Sequence, residues 1–334
     1  MRRRAALLAG LALMFVLTGA VTAPHSGWRR GVNLDGWLSA GPFVPLGAVR
    51  LSQLRQVRAA GFDFVRVPLD PALFISARPG ASEPSASFDR LLLEARVRGL
   101  GVVVSLTPGD EPKRQVLLGG LARDTYLVLL ERLSARLAAA RLPRALIEPM
   151  DEPVDPNRRD CAPSAFDWNA ALTDFVAAVR RGAPGLTVLV SGVCYADVDS
   201  MKDLRPLSDH NVVYGFQYLD PLNFTQQGNQ NNDDWKKLRG VRYTARDAAT
   251  MRKAFVGAGG WARQYGLPVL VTAFAVHDTA PKSDRLRWLR DVRVLAEEQQ
   301  FAWTVWSWQG SAGFGLSGNG QLPGEVKRVL GLSR

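Results

Sequence analysis

Short apolar runs alternate with longer amphipathic segments along this chain of 334 residues, and no linker interrupts the alternation. Eight runs have the length and composition of buried strands. They are predicted at Gly31–Leu34, Phe64–Pro68, Val102–Leu106, Ala145–Glu148, Thr187–Val190, Val212–Phe216, Pro268–Val271 and Phe301–Trp306. Eight strands with a helix or loop after each are what a closed parallel barrel requires, so the predicted fold is α/β, a single (β/α)8 TIM barrel.

Six segments between these strands have helical periodicity. They are Leu51–Ala60, Phe88–Arg98, Asp124–Ala140, Trp168–Arg181, Arg246–Tyr265 and Ser283–Gln299. Gly61 and Gly99 directly follow two of them and are predicted to be left-handed C-terminal caps. Ala77–Ser87 and Asn223–Asp234 are predicted to be loops after strands, and such loops line the C-terminal face of a barrel, where its site is built.

The N-terminus has the order of a secretory signal: Arg2 to Arg4, an apolar run from Ala5 to Val21, and small residues at the cleavage region. The run is short for a membrane span, which needs about 20 apolar residues, so export is favoured over anchoring. Residues 1–23 are therefore predicted to be a signal peptide or N-terminal anchor, and residues 24–334 the barrel. The predicted location is secreted or periplasmic.

The chain is basic, with 42 Lys and Arg against 31 Asp and Glu, and losing the leader lowers its formal charge from +11 to +8. The excess is scattered Arg without a zinc-finger, RRM or basic-tail pattern, so a nucleic-acid partner is not predicted. No metal-ligand spacing, phosphate loop or dinucleotide fingerprint occurs, so no metal and no cofactor are expected. Cys161 and Cys194 fit an oxidising compartment, either as one disulfide or as two free thiols.

Five segments carry most of the chemistry. Residues 147–153 are Ile-Glu-Pro-Met-Asp-Glu-Pro, with carboxylates at a strand end held between prolines. The other four are Gly31–Leu38, Ala60–Pro68, Gln217–Gly228 and Trp303–Trp308. Together and in this order, these segments resemble glycoside hydrolase family 5, the cellulase-like retaining glycosidases, from about Gly31 to Leu316.

The resemblance implies a polysaccharide cleft across the C-terminal face and a retaining reaction by two carboxyl groups about 5–5.5 Å apart. Glu152 stands at the position of the family's acid/base. In the strand-seven segment Val271–Val276, Ala273 stands where the family has its nucleophilic glutamate. Because a methyl group cannot attack an anomeric carbon, the family's double displacement is expected to be closed.

Supporting positions depart from the family as well. Asp151 replaces an Asn that hydrogen-bonds the sugar 2-hydroxyl, and Thr107 replaces a His at the end of strand three. On and after the sixth strand, the family's His, Tyr and His are replaced by Gln217, Leu219 and Gln226. The chain has only three His with which to replace the lost imidazoles: His25, His210 and His277.

Tryptophan is the remaining clue to ligand binding. Trp306 is expected to be the sugar platform, and the alternation within Trp303–Trp308 predicts that one parity faces inward and the other packs under helices. The predicted substrate-binding residues are Arg66, Asp151, Gln217, Tyr218, Trp235 and Trp306. The loops after strands four and five are neighbours in such a barrel, so Cys161 and Cys194 are disulfide candidates at the cleft rim.

Three functions follow as hypotheses. The first is an exported barrel that binds polysaccharide or oligosaccharide without the family's hydrolysis, a pseudoenzyme. The second is an active β-glucanase or mannanase that pairs Glu152 with a non-standard second carboxylate across about 6.5–9.5 Å, with Asp35, Asp220 and Asp278 as candidates. The third is a basic scaffold for an acidic polymer.

Overall fold

The computed structural model describes residues 29–39, 50–75, 83–158, 161–162, 166–310 and 312–332. Its strands are β1 (Arg30–Asn33), β2 (Phe64–Leu69), β3 (Gly101–Leu106), β4 (Ala145–Glu148), β5 (Thr187–Ser191), β6 (Val212–Tyr218), β7 (Val269–Phe274) and β8 (Ala302–Val305). Its helices are α1 (Leu51–Ala60), α2 (Ala72–Ile75), α3 (Glu83–Val97), α4 (Asp110–Leu118), α5 (Gly120–Ala139), α6 (Trp168–Gly182), α7 (Leu222–Thr225), α8 (Ala245–Tyr265), α9 (Lys282–Glu298) and α10 (Gly324–Val329). The predicted leader lies outside the described residues.

The eight strands pair in parallel, each with its neighbours in sequence, and β8 closes the ring on β1. The predicted single (β/α)8 barrel is therefore confirmed. Each predicted strand is present, with ends that differ by up to three residues, and all six predicted helices are present. Gly61 and Gly99 both have positive φ, as their capping positions after α1 and α3 require.

Two local expectations need correction, and one site-forming helix was not predicted. Residues 83–87 of the predicted loop Ala77–Ser87 belong to α3, and residues 77–82 lie outside the description. The loop Asn223–Asp234 begins inside the short helix α7. A further helix, α4, follows β3 with Asp110 and Glu111 in its first turn, where the helix dipole favours negative charge.

Two apolar layers hold the barrel together. Inside the ring, one side chain from each of six strands forms a small core: Phe64, Val103, Leu146, Leu189, Val213 and Leu270. Gly31 completes this layer, since a Cβ there would lie 2.3 Å from the Thr304 side chain and 2.5 Å from the Phe64 ring. Outside the ring, a much larger core packs the strands against the helices. The interior is thus filled at the bottom, and polar side chains occupy its C-terminal end.

A β-bulge between β6 and β7 determines which β7 side chains enter the barrel. Phe216 is opposite Val271, but the next residue on β6, Gln217, is opposite Ala273. The β7 strand therefore advances by two residues while β6 advances by one, which reverses the alternation beyond Thr272. Ala273 consequently faces the interior, and Phe274 packs outward against Trp288 and Trp303.

The carboxyl ends of the strands carry the loops that surround the barrel mouth. Cys161 and Cys194, after β4 and β5, form a disulfide with 5.2 Å between their Cα atoms, as expected from their places in the barrel. Within the described part of the chain, no helix combines the length and apolar character needed to cross a bilayer.

Candidate functional site

A fully buried arginine, Arg66, lies at the centre of the polar end of the barrel. Its Nε donates to Glu148 Oε2 at 2.8 Å, and an Nη donates to Asn33 Oδ1 at 3.0 Å. Its other Nη lies 2.7 Å from Glu148 and 2.5 Å from Asp151. The guanidinium thus joins β1, β2, β4 and the segment that follows β4.

The charges around Arg66 perturb one another strongly because water is excluded from them. Burial disfavours the charged guanidinium, but Asp151 and Glu148 more than offset it and raise the pKa of Arg66 above its usual value. Burial, opposed by Arg66 and assisted by Asp151, raises the pKa of Glu148 to about 7. The Glu148 carboxyl group therefore titrates near neutral pH.

Glu152 is half-buried just beyond this cluster, in the left-handed region with φ of 47°. A non-glycine residue in this region is strained and needs support from its surroundings. Lys113 of α4, itself buried, supplies support by donating from Nζ to the Glu152 carbonyl at 2.8 Å. Burial and the neighbouring Asp151 raise the pKa of Glu152 to about 7, against the opposing effects of Lys113, Arg66 and Gln217.

Hydrogen bonds lead from Arg66 in both directions around the barrel mouth to the two neighbours of Ala273, Thr272 and Gln217. Asn33 donates to the Thr272 carbonyl at 3.1 Å, and Thr272 precedes Ala273 on β7. On the other side, Gln217 of β6 is paired with Ala273 on the neighbouring strand and donates to Asp151 at 3.3 Å. Four hydrogen bonds, the peptide bond from Thr272 to Ala273 and the pairing of Ala273 with Gln217 close a circuit. Its six residues are called here the polar ring: Arg66, Asn33, Thr272, Ala273, Gln217 and Asp151.

Ala273 is the one member of the polar ring without a polar side chain. Its methyl group is buried and faces the interior beside Gln217. The ring therefore unites Arg66, Asp151, Gln217 and Ala273, four of the residues singled out in the sequence, with Glu152 adjacent through Asp151.

Aromatic residues surround the mouth at different depths. Trp306 and Trp235 are half-buried, after β8 and in the loop after β6, so both keep exposed surface. Trp303 and Trp308, by contrast, are buried in edge contacts with Phe62. The prediction from alternation is therefore wrong for Trp308, which has the parity of Trp306 and yet packs with Trp303 on Phe62. The reason is that β8 ends at Val305, so its alternation does not extend to residue 308.

Tyr218 does not join the site. Its ring is 2% exposed and stacks on Trp288 of α9, with an edge contact to Phe255 of α8. The alternation on β6 accounts for this, because Gln217 faces the interior and the next residue must face the helices. We correct the expectation of a substrate contact at Tyr218.

Tyr195 is a rim residue that the sequence reasoning missed. It is 47% exposed and lies in a turn in which Cys194, Tyr195 and Ala196 all have positive φ. The disulfide holds one end of this turn, and the Tyr195 amide donates to the Pro153 carbonyl at 3.0 Å. The strained turn therefore fixes an exposed aromatic ring next to the Glu152 segment.

The three candidate second carboxylates differ in their surroundings. Asp278 is exposed and lies 3.2 Å from His277 Nδ1. Burial raises the pKa of Asp220, assisted by Asp197 and Asp199, which places it beside the loop after β5. Asp35 is half-buried after β1, and burial raises its pKa to about 6.

The structure also places the histidines and the other residues that depart from the family's pattern. His210 is exposed before β6 and His277 is buried after β7, while His25 lies outside the described residues. Thr107 and Leu219 are half-buried, and Gln226 accepts a hydrogen bond from Asn229 at 2.8 Å. In the part of the chain that the structure describes, no group of three or more His, Cys, Asp or Glu could hold a metal ion.

Glu148, Asn33 and Lys113 are site residues that the sequence reasoning did not identify. One signal was present: Arg66 stands between valines inside an apolar strand, and a buried guanidinium requires an acidic partner. Glu148 ends the predicted strand β4 and is such a partner. Nothing in the sequence distinguishes Lys113 from the other basic residues, because its role depends on the placement of α4.

Comparisons with known proteins agree with this architecture. Among solved structures, endoglucanase Cel5A from Thermotoga maritima superimposes with a TM-score of 0.80 at 19% identity, covering 90% of this chain and 96% of that one. The cellulose synthase subunit Z from Clostridioides difficile has a TM-score of 0.77 at 21% identity, covering 91% and 99%. At these identities, the two similarities establish the fold.

Curated relatives extend the similarity to sequence. Cellodextrinase A of Ruminococcus flavefaciens is 25% identical over 278 residues, which are 78% of this chain and 80% of the relative. Endoglucanase C of Acetivibrio thermocellus is 21% identical over 320 residues, covering 84% and 91%. Residues 49–312 match the family model described as cellulase (glycosyl hydrolase family 5). The chain belongs to glycosyl hydrolase family 5.

Proposed function

We propose that this barrel binds a β-linked polysaccharide across its C-terminal face and does not hydrolyse it by the family's retaining mechanism. The observation that carries the proposal is Ala273: an interior-facing methyl group stands in the polar ring opposite Gln217. A retaining hydrolase needs a carboxylate there to form the covalent glycosyl intermediate, and a methyl group has no electron pair to donate.

Glu152 supports only half of the reaction. A carboxyl group with a pKa of about 7 is still partly protonated at neutral pH, which suits a proton donor to a glycosidic oxygen. The carboxyl group next to it in sequence belongs to Asp151, which is bound by Arg66 and Gln217. The polar ring thus provides charge and hydrogen bonds for holding a ligand without a second reacting group.

The rim residues support binding of a sugar chain. Half-buried Trp306 and Trp235 and exposed Tyr195 offer ring faces of the kind on which pyranose rings stack. Relatives named for action on cellodextrins and glucans, and a related structure described in complex with mannotriose, suggest neutral β-linked hexose polymers as ligands. Arg66 is compensated by its own carboxylates and is not offered to an acidic ligand.

Export is part of the same proposal. Residues 1–23 would be removed or retained as an anchor, and residues 24–334 would work as the barrel in a secreted or periplasmic location. The Cys161–Cys194 disulfide supports an oxidising compartment. The intact mass of the protein recovered from an exporting host tests cleavage, because a retained leader adds the mass of its 23 residues.

The function is tested by measuring retention and turnover together. The purified protein is run through native gels containing β-glucan or mannan, and the same polymers are assayed for new reducing ends. We expect retention without turnover, with retention reduced about 10-fold in Trp306→Ala. Turnover that disappears in Glu152→Gln contradicts the proposal. Retention that falls steeply with salt and ignores Trp306→Ala favours the scaffold for an acidic polymer instead.

A second candidate, an active inverting hydrolase, is favoured by one observation. Asp35 is half-buried at the end of β1 with a pKa of about 6, so it is largely ionised at neutral pH and could activate water while Glu152 gives a proton. Turnover lost in both Asp35→Asn and Glu152→Gln, with inversion at the anomeric carbon, would establish this alternative.

A further inference from the structure

The polar ring balances its charges without a carboxylate at position 273. Arg66 is fully buried and always charged, so it needs compensating oxygens within contact distance. Asp151 supplies one at 2.5 Å and Glu148 the other at 2.7 Å. Of these two carboxylates, Asp151 is the one that stands where the family has a neutral Asn.

Position 273 has two neighbours that connect it to this ion pair, one before it in the chain and one beside it on the next strand. Thr272, its predecessor, accepts from Asn33, which accepts from Arg66. Gln217, its partner across the sheet, donates to Asp151. A carboxylate introduced at 273 would therefore enter the same buried electrostatic cluster as Asp151.

We infer that Asp151 compensates for Ala273: Asp151 gives Arg66 the negative charge that a carboxylate at position 273 would otherwise give. The inference rests on the proposed function, since it explains how the barrel keeps its site folded after losing the nucleophile. It also predicts how hydrolysis could be restored, because a reaction by two carboxyl groups then requires substitutions at both positions.

The formal charge of the buried cluster predicts the effect of each substitution. Ala273→Glu alone adds a buried negative charge to a cluster whose glutamates already have raised pKa values. Asp151→Asn alone leaves Arg66 with one carboxylate. The double variant leaves the formal charge of the cluster unchanged, and the amide oxygen of the introduced Asn can still accept from Arg66 and Gln217.

In the double variant, both steps of a retaining hydrolysis have the groups they need. The introduced carboxylate attacks the anomeric carbon as Glu152 protonates the departing glycosidic oxygen, and water then cleaves the glycosyl ester with Glu152 taking the water's proton. In Ala273→Glu alone, the introduced carboxyl group shares the cluster with Asp151 and is kept protonated by repulsion, so it is a poor nucleophile.

A double-mutant cycle tests the inference in the full-length protein. The native protein, Ala273→Glu, Asp151→Asn and the double variant are compared by thermal midpoint and by release of nitrophenol from an aryl β-cellobioside. Ala273→Gln, with and without Asp151→Asn, is the matched control, since it has nearly the volume of Glu and no charge. The midpoint readout requires no substrate, so it is independent of whether the native protein hydrolyses anything.

We expect each charge-changing single variant to lower the midpoint and the double variant to recover at least about 3 °C relative to additivity, with no such coupling in the Gln series. Nitrophenol release should be at least about 100-fold faster in the double variant than in Ala273→Glu. Failure of Ala273→Glu alone to fold, with a folded double variant, gives the same support.

Additive midpoints, coupling of equal size in the Gln series, or equal turnover in Ala273→Glu and the double variant overturn the inference. A double variant that does not fold also overturns it, whether or not Ala273→Gln folds. Hydrolysis by the native protein contradicts the proposed function and leaves the midpoint coupling as a separate result.

Discussion

Arg66 shows how much one buried residue determines at the mouth of this barrel. Its guanidinium is held from three directions, by Glu148, Asn33 and Asp151, and each bond also fixes the partner. Removing Glu148 or Asp151 would weaken the compensation of this buried charge, which is more costly than losing an exposed ion pair. The pKa values of the nearby glutamates follow from this arrangement.

Lys113 is predicted to hold the pKa of Glu152 down. Its ammonium group opposes the effects of burial and Asp151, so Lys113→Met should raise the pKa of Glu152 above about 7. The measurement is a carboxyl carbon NMR titration of the labelled protein. Arg114→Met is the matched control, because it removes an equal charge and a bond to the Pro156 carbonyl from the same helix. Equal shifts in both variants would show that only net charge matters.

Stability should depend on pH through Glu148 and Glu152. Both have folded-state pKa values of about 7, above their ordinary 4.5, so the folded state holds more protons between these limits. Their contribution to the free energy of unfolding is therefore full below pH 4.5 and declines as pH rises towards 7. Asp151→Asn, which removes a cause of both shifts, should flatten this decline in urea unfolding measured from pH 4.5 to 8. An unchanged slope would contradict the coupling.

For individual residues, the sequence predicted part of the candidate site. The motif around Glu152 and the residues Arg66, Asp151, Gln217 and Ala273 were found because each occupies a strand end or a recognisable segment. Tyr218 was assigned wrongly, since the segment alone did not show which of two adjacent residues faces inward. Lys113 was out of reach because its contact depends on the path of α4.

Among the elements, the bulge in β7 matters most for function. Regular alternation from Leu270, an interior residue, would direct position 273 towards the helices. The extra residue turns Ala273 inward beside Gln217 instead. The left-handed turn Cys194–Ala196 has a similar effect on the rim, where it presents Tyr195.

The disulfide is predicted to stabilise the barrel and this turn. It closes a segment with a sequence separation of 33, for which chain entropy gives about 3–4 kcal/mol. Cys161→Ser/Cys194→Ser should lower the free energy of unfolding by that order in urea titrations. Adding reductant should reproduce the loss in the native protein and have no effect on the variant. An effect of reductant on the variant would point to a cause other than this bond.

Close packing of α5 on α6 depends on Gly182. A Cβ there would lie 2.0 Å from the Glu131 carbonyl oxygen, so the helices would have to separate. Gly182→Ala should cost about 1–3 kcal/mol of unfolding free energy, although Ala is the better helix former. Gly185→Ala, where a Cβ meets nothing within 4 Å, is the control and should be close to neutral. Equal costs in the two variants would contradict the packing explanation.

The elements themselves were largely predictable, because apolar runs and helical periodicity are local signals. All eight strands followed from such runs. The α4 helix was missed because its sequence, with Pro112 and a charged first turn, resembles a loop. The bulge was unpredictable for a different reason: it depends on the register between β6 and β7, which neither strand contains alone.

For the whole molecule, the barrel separates stability from function. The apolar layers occupy the interior base and the helix interface, while the polar ring occupies the C-terminal end. A residue at the mouth of the barrel, such as Ala273, can therefore be replaced without removing the core. Several arginines on the helices pair with neighbouring acids, as at Arg136 and Asp89 or Arg180 and Asp209.

The central claim, that the family's hydrolysis is closed, is tested most directly with cellohexaose in water enriched in ¹⁸O. After prolonged incubation with the native protein, mass spectrometry should find cellohexaose intact, while native-gel retention by β-glucan verifies that the protein binds. Fragments that carry ¹⁸O at a new reducing end, that form with retained anomeric configuration, and that are absent when Glu152→Gln replaces the native protein would contradict the account.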